Sequence, residues 1–173
     1  GALGAPLALP LLPEEEVVPY AVEIGFEAPE AYGRAHHAFP QQFSTMLAWE
    51  EVARATARAW HALPEAERAR TAIVGASYSD AGAIDYYGPD LGLPPALSGH
   101  MSYWLWGRRG YDLEQVLFVG VPPERLRPGW SERRVAATVA CPRCELWRQE
   151  IPVVLARGAR QPPDALWKAL RHD

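Results

Sequence analysis

Cysteine, methionine and phenylalanine are scarce in this 173-residue chain, which has two, two and four of them. Two cysteines exclude a disulfide-dense scaffold, so stability has to come from a core, and with 49% of positions apolar the chain is long enough to bury one. Charge of one sign is also lacking: 17 basic against 21 acidic residues leave a formal charge of -4. That balance does not track a phosphate backbone, and nucleic acid is excluded as a partner. No uninterrupted run of about twenty apolar residues occurs, so no stretch crosses a membrane by itself. The N-terminus has neither the basic region nor the small-residue cleavage pattern of a signal peptide. Walker A, HExxH and Rossmann glycine motifs are missing, which leaves nucleotide and metalloprotease chemistry unsupported and implies no cofactor.

Seventeen Pro, fourteen Gly and seven Trp are what the chain has in abundance. They announce many turns and more large rings than a minimal core requires. Gly1 to Leu12 reads GALGAPLALPLL, uncharged throughout. It reads either as the frayed end of something larger or as an apolar arm lying on the domain. Glu14 to Glu16 then make a polar break, and Val17 to Pro40 is expected to be irregular. We read residues 1–16 as an exit segment and linker, and 17–173 as one domain.

Apolar positions at helical spacing predict a helix from Met46 to Ala62, capped at Ser44 or Thr45, and Leu63-Pro64-Glu65 restarts a short one. Thr71 to Gly75 is a short β-branched run that reads as a buried strand, followed by a helix capped by Asp80 and ended at Gly88-Pro89. Ala96 to Ser98 and Gln115 to Val119 are the next strands. Val135 to Ala140 and Ile151 to Ala156 flank the cysteines and are expected to pair as an antiparallel edge, where Pro152 is tolerated. Pro162-Pro163-Asp164 opens a last helix with Leu166, Trp167 and Leu170. Strands alternating with helices predict an α/β fold, a Rossmann-like three-layer sandwich with a mainly parallel central sheet and an antiparallel edge.

The segment from Tyr78 to Gly107, YSDAGAIDYYGPDLGLPPALSGHMSYWLWG, begins at the C-terminal end of a predicted central strand, where ligands of open α/β sheets bind. Tyr78, Asp80, Asp85, Tyr86, His100, Tyr103, Trp104 and Trp106 are candidates to line one crevice. Carboxylates accept sugar hydroxyls, and ring faces cover the apolar C–H side of a sugar, so the candidate ligand is a glycan. The bland alternative is that these rings pack a core or a loop. Gly75-Ala76-Ser77-Tyr78-Ser79 is a near miss to the nucleophile elbow G-x-S-x-G, which makes a serine hydrolase the competing reading, with Ser77 as nucleophile, His100 as base and Asp85 or Asp90 as orienter. The second glycine of that motif is Ser79 here.

Cys141-Pro142-Arg143-Cys144 has the spacing of a local disulfide, a redox pair or half of a zinc site. His36-His37 would have to complete the zinc site, yet adjacent residues point apart in an extended chain. Outside the cytoplasm a Cys141–Cys144 disulfide is the simpler outcome, fixing a local turn.

Taken together, YSDAGAIDYYGP and LPPALSGHMSYWLWG resemble the C-terminal region of bacterial glycosyltransferase family 39, relatives of protein mannosyltransferases and aminoarabinose transferases. The resemblance takes in APLALPLLP, the helix start at Phe43 and Trp49, LPEAERARTAIVGASY, and CPRCELWRQEIPVVLARG with the DALW that follows. The family pattern after SGH continues with Asn where this chain has Met101, and Ser79 stands where Gly is more familiar. The resemblance implies an extracytoplasmic, periplasmic domain tethered by upstream membrane helices of the same polypeptide. It also implies an enzyme that moves a sugar from a polyprenyl-phosphate carrier to an acceptor. The family's catalytic acids belong to a loop far upstream, so no catalytic residue is assigned here, and the domain's expected role is accessory, acceptor-binding or structural. A non-catalytic carbohydrate-binding module is the remaining alternative.

Overall fold

A computed structural model describes residues 4–9, 11–26 and 41–173. His36 and His37, and most of the stretch expected to be irregular, lie outside the described residues. The chain divides into two compact units, residues 1–47 with 141–149, and residues 48–140 with 150–173.

The first unit holds three helices, α1 (Ala5–Ala8), α2 (Glu14–Glu23) and α3 (Gln41–Ser44). The expected polar break at Glu14 to Glu16 is instead the first turn of α2, where acids meet the positive end of the helix dipole. The irregular reading of Val17 to Glu23 is corrected with it. Val17 and Ala21, one helical turn apart, bury together with Leu7 and Phe43. The segment 141–149 closes on itself through the Cys141–Cys144 disulfide and a bond from the Cys141 amide to the Gln149 carbonyl. Arg148 is buried and donates to the Leu47 carbonyl at 3.2 Å.

The second unit is mixed α/β. Its helix α4 (Trp49–His61) begins three residues later than its apolar spacing suggests, because Ala48 adopts a left-handed conformation with φ 65°. Ser44 belongs to α3, and the N-cap position of α4 is Ala48. A single turn, α5 (Glu65–Arg68), leads into β1 (Ala72–Gly75); α6 (Tyr78–Tyr87) and β2 (Leu97–Ser98) follow, then α7 (Ser102–Leu105), β3 (Gln115–Val119), β4 (Trp130–Ala140), β5 (Glu150–Ala159) and α8 (Pro163–Ala169). One open five-stranded sheet results, in the order β2-β1-β3-β5-β4. The three central-to-edge strands β2, β1 and β3 are parallel, whereas β5 runs antiparallel to β3 and β4 antiparallel to β5.

β1 and β3 are buried at every position, which is why they read as continuous apolar runs. On one face Ile73, Leu117 and Leu155 pack against Val52 and Trp60 of α4 and Ile84 of α6. On the other, Val74, Phe118 and Val154 pack against Trp130, Leu166 and Trp167. β5 is internal rather than an edge strand, so the reason first given for tolerating Pro152 does not hold. Pro152 lies just beyond the last β3–β5 pair, Val119 with Val153, where Gly120 turns at φ 79° and its amide donates to the Pro152 carbonyl at 2.8 Å.

At the opposite end of the sheet, Gln115 donates to Thr71 Oγ1 at 2.7 Å and accepts from Arg157 Nε at 2.9 Å, and Arg157 pairs with Glu67 at 2.5 Å. The buried Gln115 amide thus has partners on both sides, which ties α5 to β1, β3 and β5.

At Gly75 the end of β1 crosses the backbone of α6 closely. A Cβ there would lie 2.6 Å from the Ala81 nitrogen, whereas at Gly82 the nearest atom would be the Tyr103 hydroxyl at 3.8 Å. Gly75→Ala is therefore expected to lower unfolding free energy by about 3 kcal/mol, as overpacking against backbone does. Gly82→Ala should raise it by about 0.5–1 kcal/mol, as removal of a mid-helix glycine does. Urea denaturation midpoints with unchanged slopes would check both.

Candidate functional site

The β1–α6 corner is built by a capping box. Ser77 is the N-cap of α6; its Oγ accepts from the Asp80 amide at 3.1 Å, and Asp80 Oδ2 accepts from the Ser77 amide at 3.1 Å and from Ser77 Oγ at 2.7 Å. Two donors that a helix start leaves open are satisfied reciprocally. The cap is thus Ser77 and not Asp80, and the helix begins three residues earlier than expected. This pairing also fixes where the Ser77 hydroxyl points. The Ser77 hydroxyl proton goes to Asp80 rather than to His100, and Ser77 sits in relaxed extended backbone at φ -130° instead of the strained turn a nucleophile elbow needs. Asp85, one proposed orienter, is committed elsewhere.

Tyr78 and His100 come together. The Tyr78 amide donates to His100 Nδ1 at 3.2 Å, the rings stack at 5.0 Å, and on its other side His100 lies parallel to His172 at 4.8 Å. With Nδ1 accepting, the neutral imidazole carries its proton on Nε2. His172 runs parallel beside the segment, its amide donating to the Gly99 carbonyl and its carbonyl accepting from the Met101 amide. Each of its ring nitrogens faces a backbone carbonyl at 2.9 Å, Nε2 toward Ala76 and Nδ1 toward Leu170. Burial, and then the neighbouring His172, push the His100 pKa below its ordinary value, against the pull of Asp173 and Asp80.

A second group forms around Asp85. Its Oδ1 accepts from the Ala96 amide at 2.7 Å and its Oδ2 from the Tyr103 hydroxyl at 3.0 Å, which locks the approach to β2 and the start of α7 onto α6. Burial and the Asp85 hydrogen bond raise the Tyr103 phenol to about 12. Tyr103 tilts against Trp106 at 4.4 Å, and Trp106 is 56% exposed. Tyr78, Gly82 and Asp85 fall on one face of α6 at helical spacing, and Tyr103 crosses that face at Gly82. Tyr78 is 49% exposed.

The remaining candidates go elsewhere. Asp80 is buried at 5% exposure in the cap. Tyr86 is exposed and packs edge-on to Tyr87. Trp104 belongs to the opposite side of the sheet, where its indole donates to the Trp167 carbonyl at 3.3 Å and the Arg171 guanidinium lies 4.6 Å above its ring. Among the described residues no cluster of three or more His, Cys, Asp or Glu is placed to hold a metal, and no helix is long and apolar enough to cross a membrane.

The sequence reading missed a crevice of about 440 Å³ at the C-terminal ends of β1 and β3, bounded by Ala76, Gly120, Leu126, Trp130, Leu166 and His172. β1 leads to α6 on one face of the sheet, whereas the turn Pro123–Leu126 that follows β3 packs on the other. Connections that leave adjacent parallel strands in opposite directions open such a gap. The signal available was the run Val119-Gly120-Val121-Pro122 at the end of a predicted strand.

These features define a mixed α/β protein with a parallel sheet centre and an aromatic surface over α6 and α7. No family model, curated protein or solved structure matches the chain.

Two titrations follow from the geometry. The unfolded chain protonates His100 near 6.5 and the folded chain resists until lower pH, so this residue's contribution to stability is complete above about 6.5 and is lost as pH falls from there through the folded value. Thermal melts of His100→Gln should lack that acid limb. Tyr103 acts in the opposite sense. Its contribution is present below 10 and lost as pH rises from 10 to about 12. Phenolate absorbance should show one late-ionising tyrosine fewer in Tyr103→Phe.

Proposed function

We propose that this chain is an extracytoplasmic accessory domain of a polyprenyl-phosphate-sugar glycosyltransferase, recognising the acceptor or a glycan while the catalytic acids reside in a membrane-embedded part of the same polypeptide. Its architecture on this reading is a Rossmann-like three-layer sandwich, with α4 and α6 covering one face of the sheet and α8 with the Pro123–Leu126 turn the other.

One observation carries the reading. The sequence block that resembles the family is also the block that forms the α6–α7 surface, where the rings of Tyr78 and Trp106 are half open to solvent, Tyr78 stacked on His100 and Trp106 resting on Tyr103, whose hydroxyl Asp85 holds. Exposed rings on a rigid support are what the apolar C–H face of a sugar requires, and fixing the rings beforehand removes an entropic cost of binding. The Cys141–Cys144 disulfide suits an oxidising compartment. On this reading the domain transfers nothing itself. It presents an acceptor to chemistry performed elsewhere.

The reading frame upstream of Gly1 tests the covalent context: about a dozen apolar segments of roughly twenty residues are expected, and a start codon next to Gly1 overturns the membrane-enzyme reading. Ligand-observed NMR tests the surface. Saturation transfer from the ring C–H protons of glycan acceptors should weaken by up to about tenfold in Trp106→Ala, in line with the worth of one ring-face contact. Tyr86→Ala, away from the Tyr103–Trp106 pair, should leave it unchanged. Equal transfer in all three proteins removes the glycan role from this surface.

A further inference from the structure

The crevice between the ends of β1 and β3 is separate from the α6–α7 surface, and what it holds does not depend on the glycosyltransferase reading. Its volume of about 440 Å³ falls within the range of small-molecule sites, and its position is the topological switch point of the parallel strands. The floor is apolar: Phe118, Leu126 and Leu166 are all buried side chains that turn toward it, and Trp130 lies beside Phe118 at 4.8 Å, edge-on. Its polar groups divide into committed and free ones. The His172 Nε2 proton is already given to the Ala76 carbonyl. Asp80, on the far side of Gly120, is consumed by the capping box. Arg125 and Gln161 also line the crevice, and among the described residues neither side chain has a hydrogen-bond or ion-pair partner.

An apolar floor with one unpartnered guanidinium calls for a ligand with an apolar body and an anionic head. Charge decides which head. A phosphate monoester carries close to two negative charges at neutral pH, more than one Arg side chain on a chain of formal charge -4 neutralises. A carboxylate carries one, and its two oxygens match the planar fork of a guanidinium. We infer that this crevice is a binding site for a small apolar-bodied monocarboxylate, its carboxylate held by Arg125 and assisted by Gln161, its body lying on Phe118, Leu126 and Leu166.

Phenylpropanoate is a suitable probe, with phenylpropanamide, phenylpropyl phosphate and acetate as comparisons, followed by amide and indole N–H shifts in the whole chain. Phenylpropanoate should shift Gly120, Val121 and the Trp130 indole. The neutral amide should bind about tenfold more weakly, as loss of a charge-assisted pair predicts, and acetate should not bind. Arg125→Gln, a change at an exposed side chain, should abolish the preference for acid over amide while residual binding of both persists. Equal affinities for acid and amide, a stronger response to the phosphate, shifts confined to the Tyr78–Trp106 surface, or no response would each overturn the assignment. Glycan binding at Trp106 is measured separately, so failure of one site leaves the other readable.

Discussion

The approach of α6 to the end of β1 is the constraint on which the working end of this molecule depends. At Gly75 the strand and the helix meet backbone to backbone, with room for no side chain between them. That approach brings Ser77 to the N-cap, where its hydroxyl and the Asp80 carboxylate complete one another's hydrogen bonds. A corner held both by steric fit and by a reciprocal cap has little freedom left. It fixes the direction of Tyr78 and the wall against which Gly120 turns, so the aromatic surface and the crevice share one rigid origin.

The two ends of the sheet are used differently. At the start of β1 and β3, Gln115, Thr71, Glu67 and Arg157 spend their polar groups on each other. The Arg157–Glu67 pair is partly exposed and by itself contributes little. Its value lies in satisfying the Gln115 amide, which has no access to water. At the other end the strands stop, the connections diverge, and free polar side chains face solvent. Stability is concentrated where the network closes, and recognition is possible where it opens.

Several residues whose chemistry suggests function are used for support. Asp85 holds an amide and a phenol and so orders the path from α6 to α7. Ser77 and Asp80 form a cap. Trp104 fills the space between Trp167 and Arg171. What they leave open is a smaller surface than the sequence pattern suggested, consisting of Tyr78 and Trp106 with His100 behind them.

Much of the fold was legible because burial leaves a local signature. β3 is an unbroken apolar run and its bounds, Gln115–Val119, are the expected ones, and the apolar spacing of α4 places it to within a few residues. Where local cues failed, a backbone conformation or a partner far away in sequence had decided the matter. The left-handed Ala48 delays α4, and the turn at Gly120 makes Pro152 compatible with an internal strand. The site divides in the same way. Sequence by itself determined that an aromatic, acid-bearing segment follows a central strand, because residue types and strand ends are local properties. Only the tertiary structure decided which of those acids were already spent, that His172 comes back to stack on His100, and that Arg125 and Gln161 meet at one crevice. Those facts depend on contacts between residues that are far apart along the chain, and no local pattern encodes which donor finds which acceptor.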